Sequence, residues 1–240
     1  MEMKNHRKII TEDGSMTLYS QEYNEACHSE AGAKTETIEH YINGCEIKNN
    51  MSAPLNILEV GFGTGIGFLE TQNALKGRFF NFYSFEISKE LIDYFAITNH
   101  INFTVTENFY VYESKEYKLV ILHGNARETI KKIQLKFHAI YQDAFSPKKN
   151  SILWTKEWFE DLANISHDNV ILSTYSASSS IRKSMVQAGW KLYEGVHFGK
   201  KRSSTRARLT GETDPLILDK LKRSPVPAIT DTNYIEYTLD

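Results

Sequence analysis

Leu58-Glu59-Val60-Gly61-Phe62-Gly63-Thr64-Gly65 decides the fold of this chain. Apolar Leu55, Ile57, Leu58 and Val60 read as a short buried strand. Alternate glycines follow at once, and Phe68-Leu69-Glu70-Thr71-Gln72-Asn73-Ala74-Leu75 reads as a helix. A strand that enters a helix through a glycine turn lets the backbone approach a ligand closely. A nicotinamide fingerprint requires Gly-x-Gly-x-x-Gly. Here the third position falls on Ile66 counted from Gly61, and on Phe68 counted from Gly63. Both fail.

Outward from this turn, strands and helices alternate from Leu55 to about Val196. Strands are predicted at 55–60, 80–86, 118–123, 137–143, 168–174 and 190–196, and helices at 65–76, 88–97, 126–134, 151–165 and 177–188. That rhythm implies βαβ units in a doubly wound, mostly parallel sheet, an α/β fold. Ahead of it, Asp13-Gly14 predicts a β-hairpin over residues 7–21, and 33–47 reads as a helix. Three parts follow: an N-terminal extension over 1–50, the α/β domain over 51–210, and a surface tail over 211–240 punctuated by Pro215, Pro225 and Pro227. The 240 residues are 41% hydrophobic and 12% aromatic, enough for a core, and the net charge of −2 leaves any nucleic acid to a local patch. The polar N-terminus lacks a signal segment and no apolar run spans a bilayer. Cys27 and Cys45, with no nearby His pair, argue against disulfides and zinc. The expectation is a cytoplasmic protein with no membrane and no metal partner.

The Glu-x-Gly-x-Gly-x-Gly spacing resembles motif I of class I methyltransferases, which bind S-adenosylmethionine (SAM). Ligands of open parallel sheets lie outside the carboxyl ends of the strands. Glu86 ends the second strand, 21 residues after Gly65, where an acid can accept hydrogen bonds from both ribose hydroxyls. Glu59, inside an apolar strand, either bonds turn amides and the ligand through water or has a purely structural role. In Leu122-His123-Gly124-Asn125-Ala126-Arg127 the side chain of Asn125 is placed to read an adenine amino edge and Ala126 to offer an amide. A purely structural role suits both equally. Asp143 ends the strand Ala139-Ile140-Tyr141-Gln142 and leads into Ala144-Phe145-Ser146-Pro147. It can accept a hydrogen bond from an incoming amine and turn its lone pair towards a methyl sulfonium. A carboxylate of pKa about 4 is a poor base for an alkylammonium, so orientation and electrostatics are its expected role. Trp154 and Trp158, four apart on the predicted helix, read as core. Last comes His197-Phe198-Gly199-Lys200-Lys201-Arg202-Ser203-Ser204-Thr205-Arg206-Ala207-Arg208, cationic with no acid, either a solvated face or a phosphate-contacting strip.

Together these features resemble the tRNA 5-methylaminomethyl-2-thiouridine methyltransferase family, which comprises the methyltransferase half of bifunctional MnmC and the standalone MnmD. The resemblance covers about residues 10–210. Its most specific parts are Asp143-Ala-Phe-Ser-Pro-Lys-Lys-Asn150 with Trp154-Thr155, and Phe198-Gly199-Lys200-Lys201-Arg202. Tyr19-Ser20, His28-Ser29-Glu30 and Gly32-Ala33 with Glu36-Thr37 are similar to the segment that closes over the pocket in that family. Ser151 stands where the family often has proline, and Asn125 where an acid is common. The resemblance implies methyl transfer from SAM, leaving S-adenosylhomocysteine, to the primary amine of 5-aminomethyl-uridine at a tRNA wobble position. Motif I (Glu59, Gly61, Phe62, Gly63, Thr64, Gly65) with Glu86, Asn125, Ala126 and Asp143 would hold the cofactor. Phe145 or Tyr175 would flank the splayed base of the single-stranded anticodon loop, unless either is core. Lys148, Lys149, Lys200, Lys201 and Arg202 would meet phosphates. With no oxidase region after residue 240, FAD is not expected. Two alternatives stand: a small-molecule methyl or aminopropyl transferase of this fold, whose glycine turn usually carries an acid after the glycines, and a non-catalytic SAM- or RNA-binding module, against which the intact Asp143 loop argues.

Overall fold

The computed structural model describes residues 3–196 and 203–237. The chain opens with β1 (His6–Ile10), β2 (Met16–Ser20) and the short β3 (Glu25–Ala26), an antiparallel sheet turned at Asp13-Gly14 as the sequence predicts. A helix follows, α1 (Ala33–Thr37), continued by a wider π-helical turn over Ile38–Asn43.

The main sheet comprises β4 (Leu55–Val60), β5 (Phe80–Glu86), β6 (Thr104–Thr106), β7 (Phe109–Glu113), β8 (Tyr117–His123), β9 (Phe137–Gln142), β10 (Ser166–Thr174), β11 (Lys191–Glu194) and β12 (Thr205–Arg208). Their order is β11-β12-β10-β9-β4-β5-β8-β7-β6. The central strands β10, β9, β4, β5 and β8 run parallel, and antiparallel pairs close both edges. Helices α2 (Ile66–Ala74), α3 (Lys89–Thr98), α4 (Ala126–Thr129), α5 (Pro147–Asn150), α6 (Lys156–Asn164), α7 (Ser179–Gln187) and α8 (Pro215–Arg223) complete the order. Among the described residues no helix is long and apolar enough to cross a membrane.

Strand periodicity sorts the core into two layers. Leu58, Val60, Phe85, Ile140 and Leu172 meet Trp158 and Phe159 of α6, Ile181 of α7 and Ile217 of α8. Ile57, Phe82, Ile121 and Tyr141 meet Tyr41, Phe68 of α2 and Phe95 of α3. The helix expected over 151–165 is broken. Thr155 is extended and its hydroxyl accepts from the Trp158 amide at 3.1 Å, so α6 starts afresh at Lys156. Trp154 therefore sits in the preceding 3-10 turn, yet both indoles are buried as expected. Buried indole N–H groups need partners. Trp154 Nε1 donates to the Phe145 carbonyl at 2.8 Å and Trp158 Nε1 to Gln142 Oε1 at 3.0 Å, which fixes the loop after β9.

Glu59 shares the face of Ile57, and its Oε2 accepts from the Ser84 hydroxyl at 2.8 Å. Its other oxygen lies against α2, where a Cβ on Gly67 would fall 1.8 Å from Oε1. Alanine inside a helix ordinarily adds about 1 kcal/mol over glycine. Gly67→Ala should instead destabilise by about 1–3 kcal/mol through overpacking, read from urea unfolding. A gain in stability would show that the Glu59 carboxyl can step aside.

Candidate active site

The turn after β4 is held by two neighbouring strands. The Gly61 and Phe62 amides donate to the Phe85 carbonyl at 3.2 and 3.0 Å. Gly61 has φ +98°, and a Cβ there would stand 2.9 Å from the Asp143 carbonyl oxygen. Only glycine tolerates both conditions. The Gly63 amide donates to Glu86 Oε2 at 2.9 Å and the Ser88 amide to Oε1 at 2.7 Å. Burial pushes the Glu86 carboxyl above its ordinary range, against the pull of these amides. Each oxygen keeps a further lone pair.

These groups border a cavity of about 570 Å3, within the usual size of a small-molecule site. Gly61, Gly63, Glu86, Asn125, Ala126 and Asp143 all line it, so the structure gathers six of the sequence-predicted residues at one place. Phe145 lines it too, stacked on Tyr23 with ring centroids 4.5 Å apart. The remaining predicted residues lie elsewhere. Phe62 packs edge-on against Phe95, Glu59 lies beneath the turn, and Gly65 precedes α2 in a left-handed conformation. The Thr64 hydroxyl is buried with no hydrogen-bond partner among the described residues. Asn125 caps α4, its Oδ1 accepting from the Arg127 amide at 3.0 Å. The oxygen expected to read an adenine amino group therefore already serves the helix. Tyr175 stands behind the Asp143 loop, its hydroxyl donating to the Ala144 carbonyl at 2.9 Å and its ring edge-on to Trp154. Lys148 and Lys149 are exposed on α5. Lys200, Lys201 and Arg202 lie outside the described residues. Arg206 and Arg208, from the same cationic run, form β12 and both pair with Glu46.

Asp143 receives two side chains that no sequence motif assigned to it. The Tyr41 hydroxyl donates to Oδ1 at 2.5 Å, and His28 Nε2 stands 4.0 Å from Oδ2. Burial raises the Tyr41 phenol well above its ordinary value, with Asp143 adding to the effect, so it stays a donor. The Asp143 loop is also tied to the N-terminal sheet, since Glu25 Oε2 accepts from the Ser146 hydroxyl at 2.9 Å. His28 lay in the segment that the resemblance placed over the pocket. Tyr41 had no signal beyond an apolar helix position. The arrangement offers a glycine turn that a ligand can approach closely, an acid between strand ends and an oriented carboxylate facing the cavity.

The sequence profile of S-adenosyl-L-methionine-dependent methyltransferases matches residues 89–210. The chain belongs to this family. Beyond the profile, this methyltransferase is similar to the tRNA 5-methylaminomethyl-2-thiouridine biosynthesis bifunctional protein MnmC of Paraburkholderia phymatum, 27% identical over 239 residues, covering 88% of this chain and 36% of the relative. The Leptospira interrogans protein of the same name is 27% identical over 219 residues, covering 81% and 34%. The chain thus spans about a third of the length of the curated relatives it matches. Among solved structures, MNMC2 from Aquifex aeolicus superposes with a TM-score of 0.81 at 27% identity, covering 99% of this chain and 85% of that one. Trm1 from Pyrococcus horikoshii, solved with SAM, shares the fold alone: TM-score 0.53 at 11% identity, covering 92% and 63%.

The methyltransferase site fits a SAM-sized ligand. A Cβ at Gly61 would stand 2.9 Å from the Asp143 carbonyl oxygen and push the strand ends apart, so the cavity that Gly61, Gly63 and Glu86 border exists only with glycine at this position. His28 supplies a test of the site's dryness. Burial lowers its imidazole to about 4, outweighing the Asp143 carboxylate 4.0 Å away. Between pH 4 and its ordinary 6.5 the unfolded chain binds a proton there that the folded one does not. Stability from this group is therefore complete above about pH 6.5 and lost as pH falls towards 4, up to about 3 kcal/mol. Urea unfolding from pH 7 to pH 4 should show the native protein losing that much more stability than a His28→Leu variant. Parallel pH curves would contradict a dry, neutral imidazole.

Proposed function

We propose that this methyltransferase moves the methyl group of SAM to the primary amine of 5-aminomethyl-(2-thio)uridine at the wobble position of cytoplasmic tRNA, giving 5-methylaminomethyl-(2-thio)uridine. The observation that carries this reading is the likeness to MNMC2 across 99% of the chain, N-terminal extension included, at a TM-score of 0.81. The names of the MnmC relatives point to the same modification.

In this reading SAM, when bound, supplies an electrophilic methyl on a positively charged sulfur. The chain's residues do the rest. Gly61 and Gly63 let the backbone approach the ligand. Glu86 accepts from ribose hydroxyls, and Asn125 and Ala126 border the adenine. Asp143 draws in the amine, and Tyr41 keeps the carboxylate from turning. Alignment supplies much of the acceleration in such a displacement. Phe145 and Tyr23 form an aromatic wall suited to a splayed base. Lys148 and Lys149 on α5, just after the Asp143 loop, meet backbone phosphates together with Lys200, Lys201 and Arg202.

Radiolabelled methyl transfer from SAM to tRNA from a strain lacking the gene, followed by nucleoside mass spectrometry, tests the substrate directly. Label on the 5-aminomethyl group is the expected result, and label elsewhere or none sinks the reading. Asp143→Ala should keep SAM affinity within about threefold while transfer falls at least about 100-fold, the scale of losing one positioned polar group. Undiminished transfer would remove Asp143 from the chemistry. Replacing Lys148 and Lys149 by Glu should weaken tRNA binding by about tenfold or more and flatten its dependence on salt. An unchanged salt slope would place the phosphates elsewhere.

A further inference from the structure

His28 is a polar group at the cavity that the glycine turn and the Asp143 loop leave without a task. It follows β3 and is nearly buried, with 5% of its side chain exposed. Its Nδ1 lies 2.9 Å from the Thr17 hydroxyl on β2, and its Nε2 lies 4.0 Å from Asp143 Oδ2. The ring also faces the glycine turn, with Cε1 3.8 Å from where a Gly63 Cβ would be. The Tyr41 hydroxyl fixes the opposite carboxylate oxygen, Oδ1, at 2.5 Å.

Burial keeps the imidazole neutral, so it carries one proton on one nitrogen. When Nδ1–H donates to Thr17, Nε2 presents its lone pair on the Asp143 side. Two acceptors then stand 4.0 Å apart, beyond hydrogen-bond reach of each other. A nitrogen bearing two hydrogens fits between them. At about 2.9 Å from each acceptor, its two bonds across the 4.0 Å gap would meet at roughly 90°, which bends each hydrogen bond from the tetrahedral N–H direction by only about 10°.

We propose that His28 Nε2 and Asp143 Oδ2 together accept the two N–H bonds of the substrate's primary amine, and that this two-point grip restricts the enzyme to a single methyl transfer. The inference rests on the amine substrate proposed above. The substrate ammonium first gives one proton to solvent. With both remaining hydrogens held, its lone pair has one direction left. The lone pair forms the new N–CH3 bond as the S–CH3 bond breaks, its electrons staying on sulfur. The nitrogen becomes a secondary ammonium whose two N–H bonds still point at the carboxylate and the imidazole, so the positive charge develops where it is met. For a second transfer the neutral secondary amine offers only one N–H. Its methyl would occupy the other acceptor's place and leave a buried polar group unpaired, a costly arrangement.

The experiment compares native enzyme, His28→Ala and His28→Gln on tRNA carrying the 5-aminomethyl group. It reads SAM and tRNA affinity, kcat against KM, and the ratio of monomethyl to dimethyl nucleoside. His28→Ala should hold SAM within about threefold, lose about tenfold or more in kcat, and yield dimethylated nucleoside. His28→Gln, whose amide oxygen accepts a hydrogen bond, should recover part of the rate and return the product to monomethyl. Native rate with monomethyl product alone in His28→Ala would overturn the grip. Loss of SAM binding in both variants would overturn it as well, by making His28 a packing residue. A native enzyme that leaves the aminomethyl group unmethylated sinks the function proposed above, a result distinct from either.

Discussion

Gly61 packed against the Asp143 carbonyl is the contact on which the rest depends. β4 and β9 are neighbours in the sheet although the chain builds β5 and β8 between them. The sheet therefore grows in one direction from β4 and in the other from β9, and a crevice opens where the two directions part. The Asp143 amide closes the crevice floor by donating to the Val60 carbonyl at 3.1 Å. With a Cβ at Gly61 only 2.9 Å from that residue's oxygen, any side chain would drive the strand ends apart. Glu86 braces the turn from β5 through the Gly63 amide. The result is a fixed spacing between the turn that would cradle a cofactor and the carboxylate that would face a substrate.

The central strands were legible because burial on both faces leaves continuous apolar runs, and helices must fill the gaps between parallel strands. The edges were not. The β6–β7 hairpin turns at Glu107, which adopts φ +52° without glycine, and all three β6 residues are exposed. Neither periodicity nor turn chemistry announced it. In β12 the charge run masked an alternation of buried Thr205 and Ala207 with outward Arg206 and Arg208. Those arginines hold the sheet edge to Glu46, so composition misled where period two was correct. The segment after 211 carries α8, amphipathic enough to bury Ile217 and Leu221.

Residues that line the cavity, or bond to one that does, followed the same division. The glycine turn, Glu86 and Asp143 are local to strand ends, and a one-dimensional reading finds them. Tyr41 and His28 reach Asp143 across more than a hundred residues of sequence. Their roles exist only once the N-terminal sheet folds over the crevice, anchored by contacts such as Glu25 with Ser146 and Glu90 with the Lys4 amide and His6. Asn125 shows the converse: a residue that lines the cavity while its oxygen also caps a helix, which leaves one lone pair on that oxygen.

Charge separates the depth of this site from its rim. Glu59, Glu86 and Asp143 crowd one poorly solvated region, and burial holds the first two above the ordinary carboxylate range, with Asp143 and Glu86 adding to the effect on Glu59. Such a region gains most from a cation, because a positive ligand relieves both desolvation and mutual repulsion. Both ligands of the proposed reaction carry positive charge at the reacting end. In the proposed reaction the polyanionic remainder of a tRNA would gain nothing there, and exposed Lys148 and Lys149 outside the crevice would meet it instead. An acidic floor beneath a basic lip would thus orient the proposed substrate before any hydrogen bond forms: the aminomethyl group would be drawn inward while the phosphates stayed at the surface.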